Sequence, residues 1–191
     1  RQIADGTSIG AYLRFKIHPE EPVLIKAASS FTDMEGAQEN LDTEIPHWDF
    51  DRTRQELNSI WEQRLSQVTV QTNNRNDKEK FYGALYRASF LPRTFNDVDG
   101  RYPSFSTGHP FRQSANGRNY YEDYSMWDTY RALHPLINIL TPKKAGDMMQ
   151  SLVDKYEQGG WLPIFPCWNS YTAAMIGDHC ISALGLSLIH I

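Results

Sequence analysis

SMWDTYRALHPLINILTPKKAGDMMQSLVDKYEQGG, residues Ser125 to Gly160, decides the fold class. Its first part, about Ser125 to Leu140, reads as one helix. Thr141-Pro142 opens a second, because proline's fixed φ suits a first helical turn, where its missing N–H would be unpaired anyway. Ala145, Met149, Leu152 and Tyr156 lie inside that helix, and Gly159-Gly160 ends it.

Three more helices are read upstream. One runs from about Asp77 to Leu91, with Phe81, Leu85 and Ala88 on one face and Pro92 as its stop. Before it, Leu57, Ile60, Trp61 and Leu65 form an apolar stripe at helical spacing. Thr32-Asp33-Met34-Glu35 fits a capping box, followed by Ala37, Leu41 and Ile45, and Pro46 closes that segment. Beyond the quoted stretch, Tyr171 to Gly185 also has helical spacing.

Gly6 to Ser29 has a different period. Leu13, Phe15 and Ile17 alternate with Tyr12, Arg14 and Lys16, and Val23, Ile25 and Ala27 alternate after a turn at His18 to Pro22. Two strands alone are marginal in water, so this hairpin requires a sheet from elsewhere. Strands first and helices afterwards give an α+β chain, with a boundary near Ser29 to Asp33. The segment Arg93 to Tyr124 is long and aperiodic, but Phe95, Tyr102, Phe105, Phe111, Tyr120, Tyr121 and Tyr124 argue against disorder there.

Composition narrows the function classes. The 191 residues carry a net charge of −4, with 40% hydrophobic and 13% aromatic side chains, an ordinary globular balance. Lys and Arg are scattered without a basic run, so nucleic acid is not an expected partner. No apolar stretch approaches the roughly 20 residues a membrane helix needs. Cys167 and Cys180 lack zinc-ligand spacing and read as buried free thiols.

Several constellations could carry chemistry. Trp127, Asp128 and Arg131 are close on one helix, and a carboxylate, a guanidinium and an indole suit a sugar's hydroxyls and its C–H face. An intrahelical Asp–Arg pair beside a core tryptophan is the competing reading. Glu157 and Trp161 flank the two glycines, and an aromatic segment through Trp168-Asn169 follows. Asn96-Asp97-Val98-Asp99-Gly100 starts like a calcium loop but lacks the later Glu, so it reads as an Asx turn. Asp178 and His179 are adjacent, and His179 is equally a ligand or a satisfied buried histidine. Paired carboxylates for an inverting glycosidase, roughly 6.5–9.5 Å apart, would have to come from Asp123, Asp128, Glu157 and Asp178. Spacing alone does not pair any two of them.

Five ordered segments resemble glycoside hydrolase family 92, the exo-acting, inverting α-mannosidases. They are Ala37 to Phe50 (AQENLDTEIPHWDF), Phe81 to Tyr102 (FYGALYRASFLPRTFNDVDGRY), Tyr120 to Pro135 (YYEDYSMWDTYRALHP), Tyr156 to Pro166 (YEQGGWLPIFP) and Met175 to Ser182 (MIGDHCIS). The resemblance implies the tail of an N-terminal β-sandwich over 1–31, linker helices over 32–76, and the first helices of an (α/α)6 barrel over 77–185. It implies a mannose-containing glycan as partner, and a calcium ion at the mannose site with ligands mostly outside this chain. It makes Trp127, Asp128, Arg131, Glu157, Trp161, Asp178 and His179 the expected substrate-binding residues. The catalytic acid and base are expected downstream, so the chain is read as an inactive, poorly soluble piece of an enzyme. Family habit implies a periplasmic, outer-membrane-attached or secreted bacterial protein. The last six residues, 186–191, match one reading frame of a transposon end used in sequencing libraries and are set aside as an artefact. A non-catalytic carbohydrate-binding module and a different (α/α)-barrel hydrolase are the rival readings.

Overall fold

A computed structural model describes residues 6–7, 10, 12–107, 111–114 and 117–190. Helix α1 spans Met34–Glu44, α2 Phe50–Leu65 and α3 Arg75–Arg87. Among the described residues three two-stranded antiparallel ribbons form in the loop regions: β1 (Arg93–Thr94) with β4 (Tyr121–Glu122), β2 (Arg101–Pro103) with β3 (Phe111–Gln113), and β5 (Pro166–Cys167) with β6 (Ser170–Tyr171). Between β4 and β5 lie α4 (Met126–Thr129), α5 (Leu133–Leu140) and α6 (Pro142–Gly159), and α7 (His179–His190) comes last. The class is mixed α+β.

Helix α6 organises the core because Ala145, Met148, Met149 and Leu152 fall at i, i+3, i+4 and i+7 and are all buried. Ile137 from α5, Cys180 and Ala183 from α7, and Tyr121, Tyr124 and Met126 from the β4–α4 stretch complete this cluster. Burying a side chain such as Leu152 contributes about 2 kcal/mol. Gly160, at φ 89, caps α6 in the left-handed region, as its sequence predicts.

The single helix expected over Ser125 to Leu140 is two. In a continuous helix the Pro135 ring would meet the carbonyl of Arg131, so the chain breaks after Thr129 and restarts at Leu133, with Pro135 in the new first turn. The helix expected over Tyr171 to Gly185 begins only at His179. Tyr171 is paired in β6, and Ala173, Met175 and Gly177 take left-handed φ values of 51, 64 and 92 that no helix accommodates.

The N-terminal segment forms no ladder among the described residues. Residues 8, 9 and 11 lie outside the described set; the described residues of 6–29 join no helix or strand ladder, and a turn is closed by Glu21 N–H donating to His18 O (3.0 Å). Alternating side chains define a strand's faces, but a ladder needs a partner strand, and none lies beside this segment among the described residues. The α2 stripe behaves similarly: Trp61 packs on Tyr86, with ring centroids 4.4 Å apart, while Leu57 and Ile60 are exposed.

Most of the described aromatics of the long segment Arg93 to Tyr124 are packed inside. Phe95, Tyr102, Phe105, Tyr120, Tyr121 and Tyr124 are buried, and Tyr102 stacks on Tyr120 at 3.9 Å. The Asx-turn reading of Asn96 to Gly100 is borne out in part by Gly100 N–H donating to Asp97 O (2.9 Å) and Arg101 N–H to Asp99 Oδ1 (2.8 Å). The Asp97 carboxylate also reaches back to the start of α1, taking hydrogen bonds from Ser30 Oγ (2.6 Å), Thr32 Oγ1 (2.5 Å) and Asn40 Nδ2 (2.9 Å). Asp33, not Thr32, caps α1, through Gly36 N–H (2.7 Å), and its carboxylate also holds Arg101.

Candidate functional site

The β4–α4 stretch is gripped by one face of α6. Tyr124 Oη donates to Met148 O (2.7 Å), Tyr121 N–H donates to Ser151 Oγ (2.9 Å), and Lys155 Nζ donates to Tyr121 O (2.6 Å). Met126 is fully buried in the core. The next two residues, Trp127 and Asp128, therefore emerge on the exposed side of a well-anchored short helix.

The Asp128–Arg131 pair does not form. Helix α4 ends before Arg131, so the i, i+3 relationship is lost, and Arg131 Nε donates instead to Tyr130 Oη (2.9 Å). Asp128 is left exposed, its carboxylate not used in the fold. Tyr130 stacks on His179 at 4.2 Å and 14°, which joins the α4 end to the α7 start. Gly177 packs under that histidine; a Cβ there would sit 2.6 Å from His179 Nε2. His179 is half-buried and its Nε2 makes no hydrogen bond, so it is not a satisfied core histidine. Asp178 stands exposed in the preceding loop, not on a helix.

Glu157 and Trp161 belong to a second group. Glu157 is exposed in the last turn of α6, and its neighbour Gln158 accepts from Phe105 N–H (2.8 Å). Trp161 is 76% exposed, while its backbone is clasped by Tyr171: Trp161 N–H donates to Tyr171 Oη (3.1 Å), which donates to Trp161 O (2.6 Å). Gly159 is required beside that ring, since a Cβ would fall 2.3 Å from Tyr171 Oη.

The β5–β6 turn supplies a tryptophan that no sequence motif singles out. Trp168 and Asn169 take φ 54 and 58, and Trp168 is 80% exposed. Asp123, itself at φ 62, holds this turn by accepting Trp168 N–H (3.2 Å) and pairing with Arg93. Asn169 Nδ2 donates to Ser104 O (2.8 Å) on the other side. Cys167 is half-buried, and burial together with the nearby Asp123 and Glu122 carboxylates pushes its thiol up to about 11. Cys180 is fully buried and is pushed up by burial to about 12.

Glu122 and Lys155 form an ion pair of 2.8 Å with neither side chain exposed. Burial raises the Glu122 carboxyl, partly offset by Lys155, and burial pushes the Lys155 ammonium down to about 8. A carboxyl raised in this way suits a general acid, but a group with no exposed surface cannot reach a substrate. Glu122 is structural.

Among the described residues no group of three or more His, Cys, Asp and Glu is arranged to hold a metal ion. Nor is any described helix long and apolar enough to cross a membrane.

Residues 36–188 match the family model described as glycosyl hydrolase family 92 catalytic domain. That region takes in the first three residues of the segment 186–191 set aside above. The chain is 31% identical to a family GH92 α-mannosidase of Bacteroides thetaiotaomicron over 81% of its own length and 20% of that protein's, with a TM-score of 0.74. That enzyme has also been solved in complex with mannoimidazole. A family GH92 inverting mannosidase of the same organism is 27% identical over 84% of this chain and 21% of its own, with a TM-score of 0.76. A protein of Arthroderma benhamiae described as an uncharacterized secreted glycosidase is 27% identical over 128 residues, 64% of this chain and 15% of that one. The chain spans about a fifth or less of these relatives' lengths.

Proposed function

This chain belongs to glycosyl hydrolase family 92, and from that premise we propose that it is part of an exo-acting, inverting, calcium-dependent α-mannosidase acting on terminal α-mannosides of glycans. The observation that carries the reading is the exposed, uncommitted Asp128 carboxylate beside Trp127, inside the matched region and on a stretch that α6 anchors. A carboxylate not used by the fold is free to take sugar hydroxyls, and the indole next to it offers an apolar face to ring C–H groups.

Trp127, Asp128, Arg131, Glu157, Trp161, Asp178 and His179 are assigned to substrate binding, with Tyr130–His179 stacking joining the α4 and α7 members. The general acid, the base and most calcium ligands are assigned to parts of the enzyme outside this chain, so the chain alone is inactive. Residues 1–31 are assigned to the sandwich, 32–76 to the linker, 77–185 to the (α/α)6 barrel and 186–191 to library preparation, which resequencing the gene across codon 185 tests. A location outside the cytoplasm, periplasmic, outer-membrane-attached or secreted, is supported by the secreted description of the fungal relative.

The test is release of mannose from α-mannosides by the parent protein and by its Asp128→Ala variant. The expected loss is about 100-fold or more in kcat/KM, the scale of a lost charge-assisted contact to the sugar. Undiminished turnover by the variant would remove Asp128 from the site, and an inactive parent would remove the mannosidase reading.

A further inference from the structure

We propose that Lys155 is a positioning residue for sugar binding: it fixes the stretch that carries Trp127 and Asp128 against the helix that carries Glu157. The proposal rests on the α-mannosidase reading above.

The ammonium group is fully committed. Lys155 Nζ donates to Tyr121 O (2.6 Å), lies 2.8 Å from Glu122 Oε2, and stands 3.8 Å from the centre of the Tyr120 ring. The ammonium thus faces a carbonyl, a carboxylate and a π face on three consecutive residues, hydrogen-bonding the carbonyl and neutralising the carboxylate. The other charges nearby are already taken: Asp154 is held by Arg118 (2.8 Å) and Asp123 by Arg93. Glu122 depends on Lys155 for its counter-charge.

The geometry links two groups of candidate contacts. Met148, Ser151 and Lys155 grip Tyr124 and Tyr121 from α6, and Met126, Trp127 and Asp128 follow directly along the chain. Two residues beyond Lys155 the same helix presents Glu157, and then the Gly159–Tyr171–Trp161 clasp. Without the ammonium group, the β4–α4 stretch would keep its apolar packing on α6 and its bonds to Ser151 and Met148, but lose the bond to Tyr121 O and the counter-charge that holds Glu122 against the helix.

A buried ion pair is a poor source of stability, and an apolar or neutral pair of similar volume often replaces it without loss. That separates positioning from mere support. The experiment compares the parent enzyme with Lys155→Met and with the double variant Lys155→Met, Glu122→Gln. The single variant strands the Glu122 carboxylate and serves as the destabilised control. The double variant should melt within a few degrees of wild type yet show KM for an α-mannoside raised about tenfold or more, since small misplacements of binding groups are costly, with kcat changed less. Wild-type KM in the double variant overturns the proposal, as does a loss confined to kcat. Its crystal structure is a readout independent of activity: Asp128 unmoved relative to Glu157 refutes the positioning role whatever the enzyme cleaves. No α-mannoside cleavage by the wild-type parent would instead refute the function proposed above.

Discussion

Asn40 Nδ2 donates to Asp97 Oδ1 at 2.9 Å across 57 positions of sequence, and Asn40 Oδ1 takes Val98 N–H at 2.9 Å in return. This exchange ties α1 to the turn at Asn96 to Gly100. The Asp97 carboxylate is almost wholly buried, and burial alone would raise it, but the Ser30, Thr32 and Asn40 side chains and the Phe31 N–H hold it below the usual range. Asp97→Asn places an amide group among these donors, and we expect a loss of about 2–3 kcal/mol in urea unfolding at pH 7. A carboxyl lowered in the folded state contributes stability above its unfolded value of about 3.9, lost as pH falls through the folded value. Wild type should therefore lose its advantage over Asp97→Asn on acidification, and a constant difference from pH 7 to pH 3 would contradict this.

His134 gives a pH effect of similar sign from a different cause. Its side chain is buried beside Tyr124, Nε2 has no hydrogen-bond partner, and burial pushes its pKa down to about 4. Because the folded value lies below the unfolded one of about 6.5, the unfolded chain takes the proton first as pH falls. The contribution is present above pH 6.5 and drains away toward pH 4, by up to about 3 kcal/mol. His134→Phe keeps a ring against Tyr124 and should flatten the stability profile between pH 4 and 6.5. An unchanged slope would mean that His134 does not titrate across this window.

What the sequence makes legible follows how local each determinant is. Helix α6 is readable because Pro142 and the apolar spacing lie within it and Gly160 caps its end. The break before α5 is also local, written in Pro135, but helical periodicity over Ser125 to Leu140 masks it. The N-terminal alternation tells which side chains share a face and nothing about what they pair with. Lys155 is illegible for a different reason. A lysine on an amphipathic helix is ordinarily solvated, and only the folding of Tyr120 to Glu122 over it, more than 30 positions earlier, makes it a buried cation. The candidate sugar contacts are reached through motif resemblance, and the exposure of Asp128 and Trp161 appears only in three dimensions. Trp168 carries no sequence signal, because a left-handed turn at Trp-Asn lacks the glycine that usually marks one.

Gly159 and Gly160 are adjacent but are needed for different reasons, and the difference can be measured. A Cβ at Gly159 would lie 2.3 Å from Tyr171 Oη and 2.8 Å from its ring, whereas nothing lies within 4 Å of one at Gly160. Gly160 instead needs its left-handed φ of 89. Gly160→Ala should cost about 1–2 kcal/mol from backbone strain and leave Tyr171 in place. Gly159→Ala should cost about 1–3 kcal/mol from overpacking and release the Trp161 clasp. Combining Tyr171→Leu with Gly159→Ala should recover part of the second loss and none of the first. If Tyr171→Leu rescued both glycine variants equally, the steric account of Gly159 would be wrong.

Trp168 sits in a conformation that bulky L-residues rarely adopt, and its side chain is 80% exposed, so the fold draws little from it. Asn169 tolerates the left-handed region and uses its amide on Ser104 O; Trp168 has no such use. Strain retained at an exposed aromatic points to a role in binding. Trp168→Asn should relieve about 1 kcal/mol of backbone strain and raise the melting temperature of the parent protein. If the indole faces the glycan, the same variant should weaken α-mannoside binding about tenfold, the scale of one lost stacking contact of about 1.4 kcal/mol. Stability up and affinity down is the expected signature, read by thermal unfolding and by KM in the same samples. Raised stability with unchanged KM would leave the strain real and take Trp168 out of the sugar site. A fall in both would show that the turn needs the indole for packing, through contacts that its exposure in this structure does not supply.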